Sequence, residues 1–141
     1  MTGVFLQTDR FKTRRMTLSF ALPITAEGSA RAALLSRMLT CSSAAYPSRL
    51  LLSRRLADMY GAGFDSHCIR VGDFEVLNLS CCVLEDAFAL EGEPLSEWAR
   101  ELLVGALFSP HMQNGLFDPA QFESEKRQLI ETVEGLINEK R

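Results

Sequence analysis

The chain is poor in the groups that most often carry metal or redox chemistry. Of its 141 residues only two are histidine. These are His67 and His111, and neither has a partner at a zinc-ligand spacing. The four cysteines, Cys41, Cys68, Cys81 and Cys82, include no Cys-x-x-Cys pair, and the adjacent Cys81 and Cys82 would point to opposite faces of a strand. With no disulfide framework, reduced thiols in a cytoplasmic protein are the expectation. Long apolar runs are missing too. The longest stretches without Asp, Glu, Lys, Arg or His are Met16 to Ala26 and Met38 to Ser48. Both fall well short of the roughly 18 residues that suggest a membrane span. No block of like charge occurs, and 15 basic residues against 18 acidic ones leave a net charge of −3. Neither a nucleic acid nor an anionic membrane is therefore expected as partner. Repeats and low-complexity segments are absent as well.

What is present fits one globular domain: 47% apolar and 23% charged residues, in a chain long enough to bury roughly two-thirds of its unfolded surface. Arg10, Lys12, Arg14 and Arg15 followed by an apolar stretch to Ile24-Thr25-Ala26 imitate a secretion signal. However, Met16, Leu18, Phe20 and Leu22 alternate with Thr17, Ser19 and Ala21, which is the period of a half-buried strand.

The pattern predicts a strand at Val4 to Gln7 and another at Arg15 to Pro23. A helix capped by Ser29 should run to about Cys41, with Ala30, Ala33, Leu34, Met38 and Cys41 on its inner face. After a polar loop, Ser48 should cap a helix from Arg49 to Tyr60, with Leu52, Leu56, Met59 and Tyr60 inward and Gly61 ending it. Gly72-Asp73 should join Phe64–Val71 to Phe74–Leu84 as a hairpin. A helix begun at Pro94 should bury Leu95, Trp98, Leu102 and Ala106 and end near Phe108, before Pro110. A last helix starting at Asp118-Pro119, with Gln121 as reciprocal cap, carries Phe122, Leu129, Val133, Leu136 and Ile137 as its apolar stripe. This order gives an α+β fold, a mostly antiparallel sheet with helices packed on one face. No closing strand follows the last helix, so the sequence reads as the front part of a larger domain with an open sheet edge.

From about Phe11 onward the succession of motifs resembles the N-terminal domain of the pitrilysin/insulinase family of zinc metallopeptidases. The pieces that carry the likeness are Ala33-Leu34-Leu35-Ser36-Arg37-Met38-Leu39, Tyr46-Pro47 and Leu56-Ala57-Asp58-Met59-Tyr60-Gly61-Ala62. Leu107-Phe108-Ser109-Pro110 with Phe117, and Phe122-Glu123-Ser124-Glu125-Lys126-Arg127-Gln128-Leu129, follow in order. The chain is most similar to bacterial non-catalytic members that work beside an active paralogue. The resemblance implies a pitrilysin-like, metallohydrolase-like half-barrel, lacking its last strands here.

Active members carry an HxxEH motif on the first helix. Its two histidines, four apart, face one side and ligate zinc, while the glutamate activates a metal-bound water. A distal glutamate completes the ligand set. Carried over, these positions are Ala33, Ser36, Arg37 and Thr132. Neither a methyl group nor a hydroxyl replaces imidazole or carboxylate, and Arg37 brings a permanent positive charge. The resemblance thus implies the fold without the hydrolysis: zinc is the family's cofactor, but its ligands are missing, and none is expected here. Arg37 is expected to sit in the old metal pocket, paired with an acid such as Glu131.

The family binds substrate peptides as an added strand along the edge strand equivalent to Gly63–Arg70, where its usual Asn-Ala-x-Thr reads Asp65-Ser66-His67-Cys68. Those four are the candidate peptide-binding residues, against an ordinary sheet strand. His67 itself reads as a partly exposed strand histidine and His111 as solvent-facing. Glu123, Glu125, Glu131 and Glu134 read as the solvated face of the last helix, and Arg49, Arg54 and Arg55 as a helix surface. The expected function is a structural or peptide-binding subunit that pairs with an active pitrilysin-type paralogue, or with itself. The rival reading is an active zinc metalloendopeptidase with ligands from elsewhere in a full-length protein or from a partner. A third is a domain whose family likeness stops at the fold.

Overall fold

The computed structural model describes the backbone of residues 2–138 and side chains as far as Leu136. The side chains from Ile137 to Arg141 therefore lie outside the described residues. The fold is α+β. Three antiparallel strands, β1 (Thr13–Pro23), β2 (Gly63–Val71) and β3 (Phe74–Leu84), lie in the order β1-β3-β2. Four helices accompany them: α1 (Ala26–Leu39), α2 (Arg49–Asp58), α3 (Leu95–Phe108) and α4 (Pro119–Asn138). A two-residue hairpin, β4 (Met112–Gln113) and β5 (Leu116–Phe117), precedes α4.

Alternation along β3 explains the layers. Leu79, Cys81 and Val83 point into the helix layer and share a core with Leu95, Ala99, Leu102, Leu103 and Ala106 of α3 and Leu52 and Met59 of α2. Asn78, Ser80 and Cys82 point the other way. There Asn78 accepts a hydrogen bond from Ser19 at 2.6 Å, and Ser80 donates to Asp65 at 3.0 Å. One sheet face is thus dry and the other polar. All four cysteines are free thiols, and Cys81 and Cys82 take opposite faces.

Burial, with smaller contributions from Cys82 and Asp65, pushes the Cys81 thiol up to about 11. Cys82, half-buried, should therefore react with an alkylating reagent in the native state, whereas Cys81 and Cys41 should react only on unfolding. Timed labelling read by mass spectrometry checks this. Equal native rates at Cys81 and Cys82 would contradict the burial pattern.

Several local expectations need correction. Val4 to Gln7 form no strand, and their backbone makes no hydrogen bond among the described residues. Helix α1 is capped by Thr25, whose hydroxyl accepts from Gly28 at 3.0 Å, while Ser29 lies inside the helix. The buried face of α1 is Ala32, Ser36, Met38 and Leu39, with Ala30 exposed. Small residues there allow α1 to lie close to β2, where the Ser66 hydroxyl donates to the Ser36 carbonyl at 2.7 Å.

Tyr60 is exposed and left-handed (φ 59°), its hydroxyl donating to Glu93. Trp98 is half-buried beneath the Arg55 guanidinium, 4.0 Å from its ring, so Arg55 packs between helices instead of lying on a free surface. Asp118 caps the Gln121 amide at 2.9 Å, but the Gln121 side chain accepts from Ser42 instead of completing a reciprocal cap. His111 is half-buried. Val133 and Leu136 are exposed, because α4 packs on α1 through its first half only.

Candidate functional site

Helix α1 and the first half of α4 meet where the sequence locates the degenerate motif. Arg37, on the last turn of α1, donates from Nε to Glu125 Oε2 at 3.0 Å and from Nη2 to Gln128 at 2.8 Å. Arg49, the first residue of α2, binds the other carboxylate oxygen of Glu125 and also donates to the Cys41 sulfur. Glu125 is 3% exposed, so a buried carboxylate is shared by two guanidiniums from two helices. Such charge-assisted bonds offset part of the cost of taking the carboxylate out of water. Burial first, and the Glu125 charge second, push the Cys41 thiol up, so its sulfur meets Arg49 as a neutral thiol. Around this centre lies an open polar depression lined by Ser48, Arg49, Gln121, Ser124, Glu125 and Gln128.

The remaining motif positions fall as follows. Ala33 is half-buried. Ser36 is buried, its hydroxyl donating to the Ala33 carbonyl at 2.8 Å. Thr132 is exposed and donates to the Gln128 carbonyl at 2.7 Å. This set does not fit zinc. The hydroxyls of Ser36 and Thr132 are spent on the helices' own carbonyls, and the neighbouring Glu125 carboxylate is held by two cations. Among the described residues no group of three or more His, Cys, Asp or Glu is placed to hold a metal ion. The partner of Arg37 is Glu125, not Glu131, and Glu125 is not part of a solvated acidic face. Likewise Arg49 belongs to the site instead of lying on a bare helix surface.

The four edge residues divide between two faces. Ser66 and Cys68 look toward α1, and burial pushes the Cys68 thiol up, with Glu75 adding and the Ser36 hydroxyl opposing. Asp65 and His67 look toward the polar face, His67 Nδ1 standing 3.7 Å from Asp65 Oδ1. Among the described residues β2 lies at one end of the three-stranded sheet. Its register with β3 turns the N–H and C=O groups of Phe64, Ser66, Cys68 and Arg70 outward.

Sequence reasoning missed Glu125, Gln128 and Arg49 as a unit. The only local signal was an acidic residue interrupting the inner face of α4.

No helix among the described residues is long and apolar enough to cross a membrane. No protein-family model matches the chain. Over 140 residues it is 23% identical to a protein of Bacillus subtilis (strain 168) named "Probable inactive metalloprotease YmfF", covering 99% of this chain and 33% of that one. A crystal structure of a conserved protein from Enterococcus faecalis V583 superposes with a TM-score of 0.87 and 29% identity, over 93% of this chain and 31% of that chain. The chain thus spans about a third of the length of both relatives.

Proposed function

We propose that the chain is a catalytically inactive, pitrilysin/insulinase-like peptidase domain, a half-barrel of that type. It serves as a structural or peptide-holding subunit beside an active zinc peptidase. The observation that carries this reading is the Arg37–Glu125–Arg49 cluster: Arg37, at a position where the resemblance implies a zinc-ligating histidine in active enzymes, is a permanent cation held on a buried carboxylate that Arg49 shares. The name given to the Bacillus protein supports the inactive part. The outward backbone groups of β2 support the peptide-holding part, because strand addition needs an open edge and no particular side chains. A reducing, cytoplasmic setting belongs to the same proposal and rests on the four free thiols.

Two measurements test it together. The purified protein should carry no stoichiometric zinc by elemental analysis and cleave no peptide with zinc supplied. A fluorescent extended peptide should bind with measurable anisotropy, and Arg70→Pro, which removes one outward N–H of β2, should weaken that binding about tenfold. Chelator-sensitive zinc accompanied by cleavage would refute the inactive reading. Unchanged binding by Arg70→Pro would refute the edge.

A further inference from the structure

Strand β2 and the arginine cluster are joined through one hydrogen bond. The Ser66 hydroxyl donates to the Ser36 carbonyl at 2.7 Å, so the middle of β2 rests on the last turn of α1, at the residue before Arg37. Directly opposed residues on neighbouring strands point to the same face of a sheet. A peptide residue paired with Ser66 therefore sends its side chain to the face that α1 occupies, toward that last turn.

The charge there is unbalanced. Arg37 and Arg49 bring two guanidiniums, and Glu125 answers with one carboxylate. Asp118 also lines the depression, but it accepts the Gln121 amide at 2.9 Å, at the start of α4, where the helix dipole offsets its charge. Donors are left over as well. Each guanidinium carries five N–H groups. Arg37 uses Nε and Nη2, and Arg49 uses Nη2 alone. Among the described residues, Nη1 of Arg37 and both Nε and Nη1 of Arg49 meet no acceptor. The two side chains are 30% and 61% exposed, so a ligand can reach these donors while Glu125 stays enclosed.

We propose that the Arg37–Glu125–Arg49 cluster anchors a peptide carboxylate. The carboxylate is an Asp or Glu side chain, or a free C-terminus, of a peptide lying along β2, and it docks on the spare donors of Arg37 and Arg49. Charge selects the group. One carboxylate cancels the single excess charge, and its two oxygens match the parallel N–H groups of a guanidinium. A backbone carbonyl leaves the excess standing, and a phosphate dianion overshoots it and is repelled by Glu125. The depression, at 450 Å³, has room for an acidic side chain or a chain end. This inference rests on the peptide-holding reading and adds a substrate class to it, peptides that present a carboxylate.

Fluorescence anisotropy with one extended peptide in three forms tests it. The forms are a C-terminal amide without acidic residues, the same amide with one central glutamate, and the free acid. At low salt, one or both carboxylate forms should bind the purified protein about fivefold to tenfold more tightly than the neutral amide. The preference should shrink at high salt. This comparison uses the wild type alone, so it does not depend on any variant folding. Arg37→Gln and Arg49→Gln should each cut the preference to about twofold or less and leave the neutral peptide's affinity in place. Arg49→Lys, which keeps the charge, should retain part of the preference. Equal affinities for the three forms overturn the anchor and leave the peptide-holding reading standing, whereas no binding of any form overturns both. A carboxylate preference that survives unchanged in both glutamine variants overturns the anchor too.

Discussion

Glu125→Ala should destabilise the fold by about 2–4 kcal/mol, more than Arg37→Ala or Arg49→Ala alone. The asymmetry follows from exposure. The Glu125 side chain is 5% exposed, against 30% for Arg37 and 61% for Arg49. Removing the carboxylate strands two guanidiniums against each other at one point. Water reaches both, which is why the expected cost lies at or below the range for fully buried pairs. Removing either arginine leaves the carboxylate with one charged partner, and a cost of about 1–2 kcal/mol follows. Urea unfolding of the three variants checks the order, with unchanged slopes confirming that stability itself has moved. If Arg49→Ala cost as much as Glu125→Ala, the shared-anion description would be wrong.

Leu79→Ala should be comparably severe, at about 3–4 kcal/mol, because it opens a cavity in the middle strand against α3. Leu79 is 0% exposed and its neighbours in the cluster are almost equally enclosed. A domain of this size has roughly 5–15 kcal/mol in total, so the variant should lose a large share of its margin. Phe20→Ala on the same strand face as the core, but half-exposed, serves as the comparison. A Leu79→Ala loss no larger than that of Phe20→Ala would show that the core is centred elsewhere.

Much of the fold was legible because its signals are local. The period of two in Met16–Leu22, the Gly72-Asp73 turn with Gly72 at φ 59°, and Ser48 accepting from the Leu51 amide all follow from neighbours in the chain. The β4–β5 hairpin carries an equally local signal, Asn114-Gly115, both left-handed at φ 53° and 76°, which periodicity counting passes over in segments this short. The Val4–Leu6 arm shows the opposite failure: apolar residues that local pattern assigns to a strand and that the tertiary fold leaves uncovered.

The site was only half legible. Positions 33, 36, 37 and 132 could be placed by motif, but the partner of Arg37 could not. Glu125 lies 88 residues from Arg37 and 76 from Arg49, and its place on the inner face of α4, between Phe122 and Leu129, does not say which cations meet it. Its charge alone assigned it to solvent. Its burial is decided by two arginines that arrive from other helices.

The stacking of Arg55 on Trp98 has a practical side. Trp98 is the sole tryptophan of the chain, and its indole lies against the guanidinium where α2 crosses α3. Intrinsic emission is therefore a one-colour gauge of that crossing, blind to the β1 edge and to α4. An event that peels α2 away while the sheet persists would be seen in fluorescence before it is seen in the far ultraviolet.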